Sequence, residues 1–402
     1  MSMEAVLRGL VVFCASYLCL VYASYLTLML VGFAESRRSR REHRIEDLGA
    51  LGSSRFSPSV SVVLAAYNEA VALPHAVRSL LGLDYAEFEV IVVNDGSTDD
   101  TLEKLRRTLD LAPVEESSRG LIETERIVGV TGHIAISGRP EEALAENGEP
   151  AKLDSRAFLA FQHSDYLRSF FNNRLGWTRL NTMLCAVGAF QIWRSDVLEE
   201  IGGFSTTFTC EDIELTFRVH EHFRREGKPY EIVSLADTVG VTEGPDTLRK
   251  LIAQRERWQR VILETVVAYR RMMFKRRYGA VGFVGVPFFI LSEVIAPVFE
   301  LLALVALAAS VALGALDPEQ ALLTLAALAL MNGLMTSAAV LLEDRTSRAY
   351  PIGDLVRLIL LGPLDLVVYR PFIVWARIKG TWRYLRGDQG WHKFERNARP
   401  AT

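Results

Sequence analysis

Two runs decide the fold, Val60-Ser-Val-Val-Leu-Ala-Ala-Tyr-Asn-Glu69 and Phe88-Glu-Val-Ile-Val-Val-Asn-Asp-Gly-Ser97. Each is a near-continuous apolar stretch that stops at polar residues. Such a run reads as a strand covered on both faces, the habit of buried parallel strands. A short helix follows the first run, to about Leu83, and Thr98 to Arg107 reads as the next helix. The β-α-β-α order implies a parallel sheet with ligands at the carboxyl ends of its strands. Tyr67, Asn68, Glu69 and Asp95 stand at those ends. Asn-Asp-Gly-Ser also has a plainer reading, as a turn.

Downstream, Asp110 to Thr124 is a polar connector of 15 residues. Ile127 to Ser137 reads as a strand, Pro140 to Asp154 as a polar loop, and Phe158 to Leu175 as a helix. Met183 to Trp193 is apolar and contains Gly188-Ala-Phe190. A glycine there lets backbone approach a ligand, or marks a packed bend. Thr209-Cys-Glu-Asp-Ile-Glu-Leu215 opens a helix that runs to about Gly227. Thr209 with Asp212 has the spacing of a capping box, and acids suit a helix N-terminus in any case. Glu231 to Val241 alternates like a strand. A longer helix starts near Asp246 and carries Gln254-Arg-Glu-Arg-Trp258. Gln254, Arg257 and Trp258 fall at i, i+3 and i+4, on one face. An amide, a guanidinium and an indole on one face suit a diphosphate and a sugar. Such a face is also an ordinary solvated one when met alone.

Cys210-Glu211-Asp212 followed by Gln254-x-x-Arg257-Trp258 resembles the membrane-bound family 2 glycosyltransferases, of the cellulose-synthase, hyaluronan-synthase and poly-N-acetylglucosamine-synthase kind. The resemblance covers roughly Pro58 to Ile378. It implies an α/β nucleotide-sugar-binding domain of the GT-A type, with a Rossmann-like mixed sheet and membrane helices at both ends. It makes Asp212 the general base of an inverting transfer from a UDP-sugar, with Glu211 beside it. It assigns Tyr67, Asn68, Glu69 and Asp95 to the nucleotide, with Asp95 on the uracil. It assigns Gln254, Arg257, Trp258, Gly188 and Phe190 to the diphosphate and acceptor. Gln162, Asp165 and Tyr166 stand where relatives carry Gln-x-x-Glu-Tyr. One departure is large. Relatives place a strand, a helix and a second strand ending in Asp-x-Asp in the region of Asp110 to Thr124. Those elements need roughly 30–40 residues, so the sheet reads as shortened. No Asp-x-Asp occurs anywhere in the chain. The resemblance implies Mg2+ or Mn2+, yet the carboxylates that would carry it are missing, so no metal ligand is assigned. A strand lost beside the first run would leave backbone groups unpaired unless the strand near Ile127 moves in to cover them.

The bulk composition fits a soluble domain joined to a membrane part. The chain has 402 residues, half of them hydrophobic, and a net charge of −3 that gives no case for nucleic acid. Cys14, Cys19, Cys185 and Cys210 lack metal-site spacing and read as reduced. Gly9 to Ala34 runs 26 residues without charge, more than a signal peptide needs and enough to cross a bilayer. Arg37, Arg38, Arg40, Arg41 and Arg44 follow it, and Arg270, Arg271, Lys275, Arg276 and Arg277 form a second basic cluster. Both belong on the cytoplasmic side. Val281 to Phe299, broken by Pro287, Glu293 and Pro297, reads as interfacial. Leu301 to Leu316 and Ala321 to Leu342 read as spans, and Pro351 to Ile378 as a bent or re-entrant pair. The divisions are then 1–36, an N-terminal membrane helix; 37–57, a basic linker; 58–278, the cytosolic catalytic domain; 279–380, interfacial and membrane helices; and 381–402, a cytosolic tail. The resulting picture is a multi-pass protein of the inner or plasma membrane. Its partners are a UDP-sugar, a glycan or lipid acceptor, and the bilayer. Two other readings stay open: a non-catalytic relative that binds UDP-sugar or glycan and regulates a partner synthase, and a membrane scaffold. The donor sugar, the acceptor and processivity are not written in the motifs.

Overall fold

A computed structural model describes residues 3–43, 54, 57–94, 96–109, 127–137, 153, 155–346 and 350–387. Asp95, the Asp110–Thr124 connector and all of the Pro140–Asp154 loop except Leu153 lie outside them. By contacts the chain divides into a smaller unit, Ser39–Thr124 with Trp391–Thr402, and a larger one, Met1–Arg38 with Glu125–Gly390.

The smaller unit holds β1 (Val60–Ala66), α2 (Ala72–Leu81), β2 (Phe88–Asn94) and α3 (Thr101–Leu109); α1 (Met3–His43) precedes them in the chain. β1 and β2 pair in parallel, from Val60 opposite Phe88 to Ala66 opposite Asn94. Leu73 and Val77 of α2 and Leu105 of α3 pack with Ala66 against Leu64, Val90 and Val92. Alternate strand residues point the other way, and there Val63 is 62% exposed and Val93 47%. The expectation of strands covered on both faces is therefore wrong for this unit. Both helices join one cluster on one face, and no described element of the unit covers the other.

The larger unit has its own three-stranded sheet, in the order β4 (Gln191–Trp193), β3 (Ile127–Ser137), β5 (Glu231–Glu243). β3 runs parallel to β5 and antiparallel to β4. The strand at Ile127 thus sits at the centre of the larger unit's sheet, where β4 and β5 use both of its edges.

Helices α4 (Ala157–Tyr166) and α5 (Asn173–Leu180) are joined by a π-helical stretch, Leu167–Asn172. α6 (Ser195–Ile201) and α7 (Glu211–Glu226) follow β4. α7 ends at Gly227, whose φ of +66° suits a residue without Cβ. One side of α7 buries Leu215, Val219 and Phe223 against Val128 and Ile232 of the sheet. The other buries Ile213 and Phe217 against Val261 and Val266 of α8 (Leu248–Tyr269). α8 starts at Thr247, whose hydroxyl accepts the Lys250 N–H.

Three described helices are long and apolar enough to cross a membrane: α1 over Met3–Arg38, α9 (Val281–Ala312), and α10 (Pro318–Thr346) over Pro318–Asp344. Val281 to Phe299, expected as a broken segment, is the first part of α9, one helical run of 32 residues. Pro287 and Pro297 remove N–H donors without breaking it. Wide π turns at Val281–Gly285 and Ile290–Ile295 adjoin the short α-helical turn that bears Pro287 and the start of the segment that bears Pro297. α11 (Ile352–Val368) and α12 (Arg370–Leu385) are bent by 50° at Tyr369, as a broken span or a re-entrant loop. α10 and α11 cross where Gly362 would bring a Cβ to 3.0 Å from Gly333 Cα. α12 lies on α8, with Gly380 packed so close that a Cβ would stand 2.5 Å from Glu256 O.

Candidate active site

Asp212 is the second residue of α7, and its carboxylate is not spent on capping. A capping box would have it accept the Thr209 N–H. That N–H instead donates to Glu264 Oε2 at 3.2 Å, and Cys210 occupies the cap position without a side-chain cap bond. Asp212 Oδ1 accepts from Cys210 Sγ at 2.7 Å and from the Ile213 N–H at 2.6 Å. Oδ2 lies over Gly188, where a Cβ would come within 2.4 Å of it. The glycine in Val187-Gly-Ala-Phe190 therefore makes room for the carboxylate itself.

The Gly188 turn is held from three sides. Phe190 N–H donates to Val187 O, closing the turn. Thr131 of β3 accepts from Val187 N–H at 2.9 Å and donates to Phe190 O at 3.0 Å. Thr216, one turn after Asp212, accepts the Ala186 N–H and donates to Asp212 O. His220 ties α7 to the same segment from further along. Its Nε2 faces Met183 O at 2.7 Å, so that nitrogen carries the proton, and Nδ1 accepts from Tyr230 OH at 2.6 Å. Burial pushes the imidazole pKa down to about 4, and it is neutral in the fold.

A cavity of about 490 Å3 starts at this carboxylate. Asp212, Gly188, Cys185, Arg174, Arg257 and Trp258 line one end. Burial lowers the pKa of Arg174 and of Arg257, but a guanidinium remains charged at any working pH. The cavity continues between the apolar helices, past Tyr22 and Tyr25 of α1, Glu293 and Glu300 of α9, and Arg370 and Arg377 of α12. The charges there are paired: Arg377 with Glu293 at 2.5 Å, Arg370 with Glu300 at 2.6 Å, and Arg168 with Asp365 at 3.0 Å. Pairing lowers the cost of burying such charges among apolar helices.

The Gln-x-x-Arg-Trp face is split. Arg257 and Trp258 line the cavity, whereas Gln254 does not. Gln254 Oε1 is buried with no hydrogen-bond partner among the described residues. Trp258 has one neighbour that the motif did not announce. The Arg255 guanidinium stands 4.1 Å from its ring centre and 5.4 Å from that of Tyr166, and bonds Asp165 at 2.9 Å. Sequence spacing does not announce this cluster, because Asp165 and Tyr166 come from α4. Gln162 donates to Pro245 O at 2.9 Å and fixes the entry to α8. Phe190 and the exposed Glu211 do not line the cavity.

In the smaller unit Asn68 takes a φ of +54°. Its side-chain oxygen accepts from Thr98 N at 2.7 Å, and its own N–H donates to Ser97 Oγ at 3.0 Å. Glu69 N–H donates to Thr101 Oγ1. Asn68 thus clamps the end of β1 to the loop after β2. Ser97 N–H donates to Asn94 Oδ1, and Gly96 has a φ of +69°. Tyr67 and Glu69 stand at the end of β1 as expected.

Among the described residues, no group of three or more His, Cys, Asp or Glu stands where it could hold a metal ion. Asp212 Oδ1 is already occupied by a thiol and an amide. The described donor set does not fit Mg2+ or Mn2+, which ask for open carboxylate oxygens.

Two family models match this sequence: Glycosyl transferase family 2 over residues 61–121, and Glycosyl transferase family group 2 over residues 154–336. The chain belongs to glycosyltransferase family 2. Membership agrees with the GT-A-type α/β domain and terminal apolar helices implied by the sequence. The chain is 23% identical over 225 residues to a poly-beta-1,6-N-acetyl-D-glucosamine synthase of Staphylococcus epidermidis, covering 50% of this chain and 53% of that one. A synthase of the same description from Staphylococcus aureus strain COL is 22% identical with the same coverage. The chain spans about half the length of the curated relatives it matches. A mannosyltransferase from Pyrobaculum calidifontis, solved with GDP-Man and Mn2+, superimposes with a TM-score of 0.49 at 19% identity, covering 88% of this chain and 99% of that one.

Proposed function

We propose that this family 2 enzyme transfers a sugar, with inversion, from a UDP-sugar to a glycan or lipid-linked acceptor. The observation that carries the reading is the Asp212 carboxylate, turned over Gly188 at the end of a cavity that also holds Arg257 and Trp258. The acceptor hydroxyl oxygen attacks the anomeric carbon as the bond from that carbon to the diphosphate breaks. Asp212 Oδ2 takes the hydroxyl proton. Arg257 meets charge developing on the departing diphosphate, and a desolvated guanidinium is worth more there than in water. Trp258 offers the acceptor sugar the ring face away from Arg255. Tyr67, Asn68, Glu69 and Asp95 are assigned to the nucleoside. The paired charges farther along the cavity support a hydroxylated acceptor. Family members use a divalent ion to neutralise the leaving group; no step is assigned to one here.

The protein is proposed to be multi-pass in the inner or plasma membrane, with Arg37 to Arg277 cytoplasmic. A cysteine added at the exposed Glu226 should resist an impermeant thiol reagent in intact cells. Labelling there would reverse the orientation.

The decisive assay is transfer from a panel of labelled UDP-sugars by purified protein in detergent, with Mg2+, Mn2+ or EDTA. Weak transfer that EDTA barely changes is the expected result. Robust turnover that EDTA removes would bring in acidic residues outside the described set. The poor fit of the described donors to a metal favours one second reading, a relative that binds UDP-sugar without turnover. Calorimetric UDP binding with no sugar release in any condition would support it.

A further inference from the structure

We propose that Cys210 is a positioning residue for the base: its thiol fixes one oxygen of Asp212 so that the other is presented to the acceptor hydroxyl. The proposal rests on the reading of Asp212 as the general base.

An aspartate carboxylate turns easily about its last torsion, which is broad and roughly two-fold. Two donors on one oxygen remove that freedom. Here Cys210 Sγ and the Ile213 N–H both reach Oδ1. Oδ2 then rests over Gly188, the place that a side chain would have filled. Among the described residues no donor reaches Oδ2. It is the oxygen with lone pairs to spare.

The thiol is suited to the task because it does not ionise. Burial, then the adjacent Asp212 carboxylate, drive its pKa far above the ordinary thiol value. It stays a donor across the working range and is a poor nucleophile, since reactivity belongs to the thiolate. The other charged or titratable groups facing Asp212 are Arg174 from α5, Cys185 from the segment before Gly188, Glu211 beside it, and Arg257 from α8. Removing the thiol therefore frees the torsion.

The test compares Cys210→Ala, Cys210→Ser and Asp212→Asn. Cys210→Ala should lower kcat by about tenfold, the low end for one hydrogen bond to a charged group. Donor KM should be unchanged. Cys210→Ser should restore kcat, because a hydroxyl donates as well. An unchanged kcat in Cys210→Ala, with Asp212→Asn inactive, overturns the role of Cys210 alone. An active Asp212→Asn overturns the base assignment itself. The infrared S–H stretch is read independently of turnover, as wild type minus Cys210→Ser. It should lie below that of an unbonded thiol and return there in Asp212→Ala. A band at the unbonded position in the wild type overturns the proposal even in an inactive preparation.

Discussion

α7 begins and β1 ends at residues assigned to chemistry, yet the two are built differently. α7 is packed on both sides, by the sheet through Leu215 and Val219 and by α8 through Phe217. β1 is packed on one side only, with Leu64 and Ala66 turned in and Val63 turned out. The carboxylate at the start of α7 is consequently held by a rigid frame: Thr216, His220 and Thr131 all bond the segment that Asp212 rests on. The end of β1 is held by polar clamps, chiefly Asn68 across to Thr98. A site framed by a two-sided core resists perturbation through its neighbours. A site at the end of a one-sided sheet depends on its loop contacts.

The largest test of this contrast is Asp212→Asn. It should lower transfer by about 10²–10⁴, the usual contribution of a general base, while leaving the melting temperature unchanged. Near-normal turnover would make Asp212 a structural residue. Phe217→Ala comes next. Phe217 is fully buried between α8 and α9, so its truncation should destabilise the larger unit by about 3–5 kcal/mol, read from thermal or denaturant unfolding.

A pH effect of somewhat smaller size should come from His220. The folded chain keeps it neutral down to about pH 4, whereas an unfolded chain protonates it below about 6.5. Its contribution is complete above pH 6.5 and is lost as pH falls from there toward 4. The loss approaches about 3 kcal/mol as an upper bound. Melting curves across that window should show the decline, and His220→Gln should flatten it. Smallest of all is Val63→Ala, at an exposed position of β1, for which less than about 0.5 kcal/mol is expected. A cost of several kcal/mol there would mean that the outer face of this sheet is covered after all.

The motifs, the element types and most element boundaries were legible in the sequence, because they follow from local spacing. The apolar runs at Val60 and Phe88 specify strands, Gly227 specifies a helix end, and Gln254, Arg257 and Trp258 specify a shared face. Where burial falls was not legible. An apolar run gives the same signal whether two faces are covered or one, so Val63 and Phe217 look alike until their neighbours are known. The continuity of α9 through its prolines was not legible either: a π turn absorbs a missing N–H, and nothing in the local sequence announces it. The surroundings of Asp212 are tertiary throughout. Asp212 meets Gly188 from 24 residues away in the chain, and the Arg255 guanidinium on Trp258 is steered by Asp165, 90 positions earlier. Sequence spacing sets which residues share an element. Which carboxylate oxygen is tied down and which is left to act is set by packing between elements.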